Sequence, residues 1–274
     1  MGTIAYTAAT SHVGGIMKNR AADPEREKSI DRGWEIMGAQ LDAAALDALV
    51  VVGTDHYETF GLKNYPTFCL GVADQYEGWG ENNTITVSAR GDERLSTELV
   101  SGLVTRDFDI SRSYDMPLDH SFMTPLSRIE SSQKPALVPL FVNCNTPPLA
   151  SFRRCFALGQ AIKAVVEELP GDIRVGVLAT GGISHWVGVP RFGEINEQFD
   201  ADFLAMLEDG RWEEFFDWTD EYIETTAGNG ALELRTWMVA AGAAGAFTSE
   251  TLGYAPMYAW ATGIGIVNFA PVPA

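Results

Sequence analysis

A chain of 274 residues, 46% of them hydrophobic and 20% charged, carries enough apolar side chains to bury a full core as one domain, expected to run over residues 1–274. Its formal net charge of −18 argues against a nucleic-acid partner, because phosphate backbones select basic surfaces. No apolar run reaches the ~20 residues of a membrane span, and Met1-Gly2-Thr3-Ile4-Ala5-Tyr6 lacks the basic start and apolar core of a signal peptide, so a cytoplasmic protein without a membrane partner is expected.

Residues 3–10 read as a strand that ends at Ser11-His12. A helix is expected from Pro24 to Leu46, with Asp23 as N-cap and Ile30, Trp34, Met37 and Leu41 at helical apolar spacing. Leu49-Val50-Val51-Val52 is a continuous β-branched run of the kind covered on both faces of a sheet, and it ends at Gly53-Thr54-Asp55-His56. Loops and short strands are expected over 60–92, then a helix from Glu93 to Val104. Ala136 to Val142 is a further strand, with Pro139 pointing to an edge or a bulge. A helix from Pro148 to Leu169 precedes the strand Val175 to Ala179, which breaks at Thr180-Gly181-Gly182-Ile183-Ser184-His185. Two helices broken at Asp209-Gly210 are expected over 195–224, a turn at Gly228-Asn229-Gly230, and a helix from Ala231 to Ala246 holding Glu233 and Trp237. Strands alternating with helices predict a single α/β domain, a mostly parallel sheet flanked by helices, with functional groups at the strand ends.

The chain has four histidines, His12, His56, His120 and His185, each just past an apolar or strand-like segment. His12 and His56 with one carboxylate would make a face that leaves half an octahedron open, the arrangement of non-haem ferrous iron. Spacing alone leaves Asp55, Asp119, Glu233 and others open as that carboxylate. His120 and His185 are then free for acid–base work, since imidazole titrates near neutrality. A structural histidine is the plainer reading of any one of them. Gly181-Gly182 serves either a tight bend or the close approach of backbone to a neighbour; no Lys-Ser or Lys-Thr follows it, so it is no phosphate loop. Asp55 and Asp119 precede histidines and are either orienting groups or turn aspartates, and Trp237 reads as core. The cysteines Cys69, Cys144 and Cys155 fit neither a disulfide framework nor a zinc cluster and read as buried thiols.

Blocks in order along nearly the whole chain resemble the class III extradiol ring-cleaving dioxygenases of the protocatechuate and dihydroxyphenylpropionate types. They are Ser11-His12-Val13, Asp55-His56, Pro66 to Gly71 with Gly78-Trp79-Gly80, Asp119-His120 with Pro125-Leu126, Arg154 to Gly159, Thr180 to His185, Ile195-Asn196 with Phe199-Asp200, and Glu233-Leu234 with Trp237. The resemblance implies an Fe(II) centre held by His12, His56 and Glu233, with His120 and His185 as acid–base residues beside the substrate. It implies a small aromatic substrate and O2, ring opening beside rather than between two hydroxyls, and a homo-oligomer, which in the protocatechuate type carries a small α subunit. Trp186-Val187 stands where relatives carry a glutamine, and Arg235 follows Glu233 in the phenylpropionate manner, so catecholic acids, gallate, aminophenols and hydroxypyridones all remain open as substrates. Arg191 and Arg235 are candidates for a substrate carboxylate. A zinc hydrolase on the same ligands and a non-catalytic interaction relative are the competing readings.

Overall fold

In the computed structural model, which describes residues 1–14, 23–81 and 86–272, the apolar runs pair into a sheet and the amphipathic stretches cover it. The elements run β1 (Thr3–Thr10), α1 (Pro24–Ala44), β2 (Ala48–Gly53), β3 (Phe68–Gly71), β4 (Gln75–Tyr76), β5 (Ala89–Arg90), α2 (Glu93–Val104) and β6 (Ser111–Ser113). There follow α3 (His120–Arg128), β7 (Ala136–Val142), α4 (Phe152–Glu168), β8 (Arg174–Thr180), α5 (Glu197–Glu208), α6 (Asp220–Thr226), α7 (Leu234–Ala244), β9 (Phe247–Met257) and β10 (Thr262–Pro271). Eight of the strands form one sheet in the order β6-β3-β7-β2-β8-β1-β10-β9, while β4 and β5 pair separately. The central pairs β7-β2, β2-β8 and β8-β1 are parallel; β1-β10, β10-β9 and β7-β3 are antiparallel. The result is the expected single α/β domain with a mostly parallel sheet. Among the described residues no helix is long and apolar enough to cross a membrane.

Every residue of β2 and β7 is buried, which is why their sequences are continuous rather than alternating apolar runs. One face of the sheet is covered by α1 and α3 through Ile30, Trp34, Met37, Phe122 and Met123. The other is covered by α2, α4, α5 and α7 through Leu99, Ile162, Phe203 and Trp237. Asp23 caps α1 by accepting from the Arg26 amide, with Pro24 at the first position, as the sequence predicts. Helices α4 and α7 meet at two glycines: a Cβ on Gly159 would collide with the Val239 carbonyl, and one on Gly242 with the Phe156 carbonyl.

Several expectations need correction. The strand holding Pro139 is interior, between β2 and β3; its ladder with β3 covers only Leu140 to Val142, so the missing N–H falls just beyond that partner. The stretch after Gly210 is a 3-10 turn (Trp212–Asp217) followed by the short α6, not one helix. Residues Asn229–Glu233 form a 3-10 turn, so Glu233 stands at the N-cap of α7 rather than inside it. The hairpin of β9 and β10 lies beyond the last element read from the sequence.

Candidate active site

Strands β2, β8 and β1 are adjacent and parallel, so their carboxyl ends share one edge of the sheet. His56, His185 and His12 follow those three ends within a few residues, at the position where α/β sheets gather their functional groups. His120 arrives differently: it opens α3 behind its N-cap Asp119 rather than ending a strand. Glu233 reaches the same edge from the turn before α7.

These groups converge. His12 Nε2 lies 3.5 Å from Glu233 Oε2, and His56 Nε2 lies 3.3 Å from Glu233 Oε1. The rings of His56 and His120 stack with centroids 4.1 Å apart, and His12 meets both edge-on at 5.3 and 5.5 Å. His12, His56 and His120 present ring nitrogens all within 4.8 Å of one another. His185 stands close enough for Glu233, His12 and His56 to influence its titration.

Each side chain is aimed by its surroundings. Asp119 Oδ2 accepts from the His56 backbone N–H at 2.9 Å and lies 2.8 Å from His56 Nδ1, which turns Nε2 towards Glu233. Asp119 therefore serves His56, not its chain neighbour His120. Asp55 plays no such part: its carboxylate accepts from the Thr59 and Phe60 amides and closes the turn after His56. The Gly182 amide donates to Glu233 Oε2 at 2.7 Å. Trp237, fully buried, donates from its indole to the Gly181 carbonyl at 3.0 Å, so its core role includes holding the glycine pair. Neither Gly181 nor Gly182 has a positive φ. Their need for glycine is close approach: a Cβ on Gly182 would strike the His185 ring, and one on Gly181 would press on Glu233. Gly230 abuts the same ring, so His185 is clasped between two bare backbones while its Nδ1 lies 3.1 Å from the Ile183 carbonyl.

The electrostatics follow from burial and pairing. Burial pushes His12 below the usual imidazole range, and it does the same to His185. Burial also opposes charge on His56, but Asp119 and Glu233 outweigh it and hold the group well above that range. Burial raises the carboxyls of Glu233 and Asp119; the histidines beside them prevail and keep both well below the ordinary value. Two carboxylates held ionised, Asp119 and Glu233, thus face this cluster of imidazoles, a balance that suits a cation. A donor set of imidazole nitrogens and a carboxylate suits a first-row transition metal. One observation makes the fit specific: among the described residues neither ring nitrogen of the buried His12 has a hydrogen-bond partner, a costly state unless a ligand takes one.

Neither arginine candidate is free. Arg235 is buried, donates to the Ala150 and Leu232 carbonyls and pairs with Asp220, which fixes the turn carrying Glu233. Arg191 pairs with Glu194 and lies over the Trp186 ring at 4.0 Å. A residue the sequence reading missed is Glu81, whose Oε1 lies 2.9 Å from His120 Nδ1. Its one sequence signal is its place directly after Gly78-Trp79-Gly80.

A mostly parallel sheet with histidines and a glutamate converging at its carboxyl edge defines an α/β protein with a group able to hold a metal ion. The chain belongs to the family described as the catalytic LigB subunit of aromatic ring-opening dioxygenase, whose model matches residues 6–265. It is 35% identical over 155 residues to a gallate dioxygenase of Pseudomonas putida, a match covering 56% of this chain and 45% of that protein, so it spans under half of that relative. It is 29% identical to a 2,3-dihydroxyphenylpropionate/2,3-dihydroxicinnamic acid 1,2-dioxygenase of a Mycobacterium species, over 79% of this chain and 83% of the relative. The protein of the same name from Paraburkholderia xenovorans is 27% identical over 91% and 93% of the two chains. Among solved structures, an uncharacterized protein from Escherichia coli K12, JW3007, shares the fold with a TM-score of 0.58 at 16% identity, over 95% of this chain and 99% of that one.

Proposed function

We propose that residues 1–274 act as one catalytic domain, an Fe(II)-dependent extradiol dioxygenase that opens a catecholic aromatic acid with O2. The observation that carries this reading is the buried His12, without a hydrogen-bond partner among the described residues, with the two Glu233 oxygens 3.5 and 3.3 Å from His12 Nε2 and His56 Nε2. His12 Nε2, His56 Nε2 and Glu233 would hold the metal, with Asp119 orienting His56. Ferrous iron bound there would supply adjacent open positions for a catecholate and for dioxygen, and a path for electron density from ring to oxygen.

The chain's own groups handle protons and orientation. His185 is kept neutral by burial and is positioned by Ile183, Gly182 and Gly230 to take the proton from a substrate hydroxyl. His120, stacked on His56, is placed to take up a proton and return it to the oxygen-derived group as the ring opens. Names of the relatives support a monocyclic catechol bearing a carboxylate, gallate-like or phenylpropionate-like. The reading extends to a cytoplasmic homo-oligomer, with a small covering subunit if it follows the protocatechuate type. Exposed Tyr57, Val187 and Phe192, on the loops after β2 and β8 that carry His56 and His185, leave apolar surface that such a subunit could cover.

Oxygen uptake by anaerobically iron-loaded protein, against a panel of catecholic acids, aminophenols and hydroxypyridones, tests the proposal. Uptake with a yellow ring-opened product is expected from one member. Tight zinc binding with hydrolysis and no uptake would overturn it. Light scattering before and after adding a candidate subunit tests the assembly.

A further inference from the structure

We infer that Glu81 is the positioning residue of His120: it fixes the rotation and tautomer of that ring so that an unprotonated Nε2, rather than Cε1, faces the metal-binding group. The inference rests on the dioxygenase reading only for its consequence in turnover; the orientation itself is a matter of geometry.

Three constraints act on the His120 ring, and each removes a different freedom. Its plane is set on one side by the His56 ring, 4.1 Å away and tilted by 28°. The Gly14 backbone lies against the same imidazole, so close that a Cβ there would sit 3.3 Å from Cγ. An imidazole so held can still flip about its Cβ–Cγ axis, which exchanges Nδ1 with Cδ2 and Nε2 with Cε1. Glu81 Oε1 breaks that symmetry. It accepts from the His120 backbone N–H and stands 2.9 Å from Nδ1, so the backbone anchor and the ring anchor are one atom. A carboxylate oxygen only accepts, so Nδ1 must be the protonated nitrogen and Nε2 is the one left for chemistry.

Glu81 is placed for this and for little else. Its side chain is 8% exposed, and its other oxygen, Oε2, is buried with no hydrogen-bond partner among the described residues, so no second hydrogen bond there explains its place. Glu81, Asp119 and His120 also fall within metal-ligand distance of one another, but their donors are spent: Glu81 on His120, Asp119 on His56 and Ser121. The pair His120–Glu81 thus repeats the pair His56–Asp119 beside it: two stacked imidazoles, each backed at Nδ1 by its own carboxylate.

The test compares Glu81→Gln, which keeps an accepting oxygen, with Glu81→Ala, which removes it. The first readout is imidazole nitrogen NMR of zinc-loaded, 15N-histidine-labelled protein, with His120→Gln to assign the signal among only four histidines. Nδ1–H is expected in the wild type and Glu81→Gln, and a shift towards Nε2–H in Glu81→Ala. The second is steady-state kinetics of the iron-loaded protein: Glu81→Ala should lower kcat by about 10- to 100-fold, as loss of a histidine's carboxylate partner does at metal sites. KM and metal content should stay near wild type, and Glu81→Gln should recover most of kcat. An unchanged tautomer in Glu81→Ala would overturn the inference, as would a Glu81→Gln variant as slow as Glu81→Ala. A wild type that turns over no substrate would sink the dioxygenase reading instead, and the NMR comparison would still decide the role of Glu81.

Discussion

At the scale of single residues, two Asp-His pairs that look alike in sequence have opposite duties. Asp119 backs His56 across the chain, while Asp55 closes a turn. Asp119→Asn should therefore weaken metal binding by about 10- to 100-fold, and Asp55→Asn should leave it unchanged; metal titration into apo-protein separates them. His12→Ala and Glu233→Ala should lose metal and turnover together. Gly230→Ala makes a sharper case, because the three atoms nearest the added methyl all belong to the His185 ring, which is no proposed ligand. Metal content should hold while kcat falls by about 100-fold, the cost of an ångström-scale misplacement. Retained turnover in that variant would dissociate His185 from the chemistry. Residue types suggest the four histidines as one group, and the family resemblance singles out Glu233 as their carboxylate. Their partners stayed hidden, since which carboxylate meets which imidazole depends on folding, and an isolated glutamate such as Glu81 carries no local mark.

At the scale of elements, what could be read was what is set locally. The capped start of α1 and the continuous apolar strands β2, β7 and β8 fall where their own residues put them. Hidden elements were those whose signals conflict. Helix α3 carries Pro125 inside it, and β9 is mostly half-buried, without a clean alternation. The loop that delivers His185 depends on a tertiary contact of this kind. Asp200, from α5, accepts from the Ser184 amide at 2.8 Å and from the Tyr254 hydroxyl of β9 at 2.8 Å. Burial pushes its carboxyl up to about 6. A group that holds its proton more tightly when folded contributes most at low pH, and that contribution is lost as pH rises through its folded value. Between roughly pH 4 and 6.5 this one group should cost about 3 kcal/mol of stability, at 1.36 kcal/mol per pKa unit. Denaturant melts across that range should show a slope in the wild type that Asp200→Asn lacks; equal slopes would remove Asp200 as its source. Where α4 and α7 touch, Gly242→Ala should destabilise by about 1–3 kcal/mol, since backbone cannot yield as a side chain does.

At the scale of the whole molecule, the net charge of −18 surrounds a site proposed for an anionic ring. Like charge slows encounter, and salt screens it over a Debye length of about 10 Å at 0.1 M. The kcat/KM for a carboxylated catechol should rise with added salt, while that for uncharged catechol stays flat. A fall for the acid would reveal a basic group at the mouth that overrides the general field. The sheet order has a further consequence, for how the molecule comes into being. Strand β1 lies between β8 and β10, and every backbone partner it has in the sheet lies between Arg174 and Asn268. Emerging from the ribosome, the segment that ends in His12 must wait, unpaired, until most of the polypeptide has been made. Pairings so distant along the chain are slow to form. The centre that joins His12 to Glu233 is thus a late event in biogenesis, and the proposed metal capture would be deferred until the sheet has closed around its own beginning.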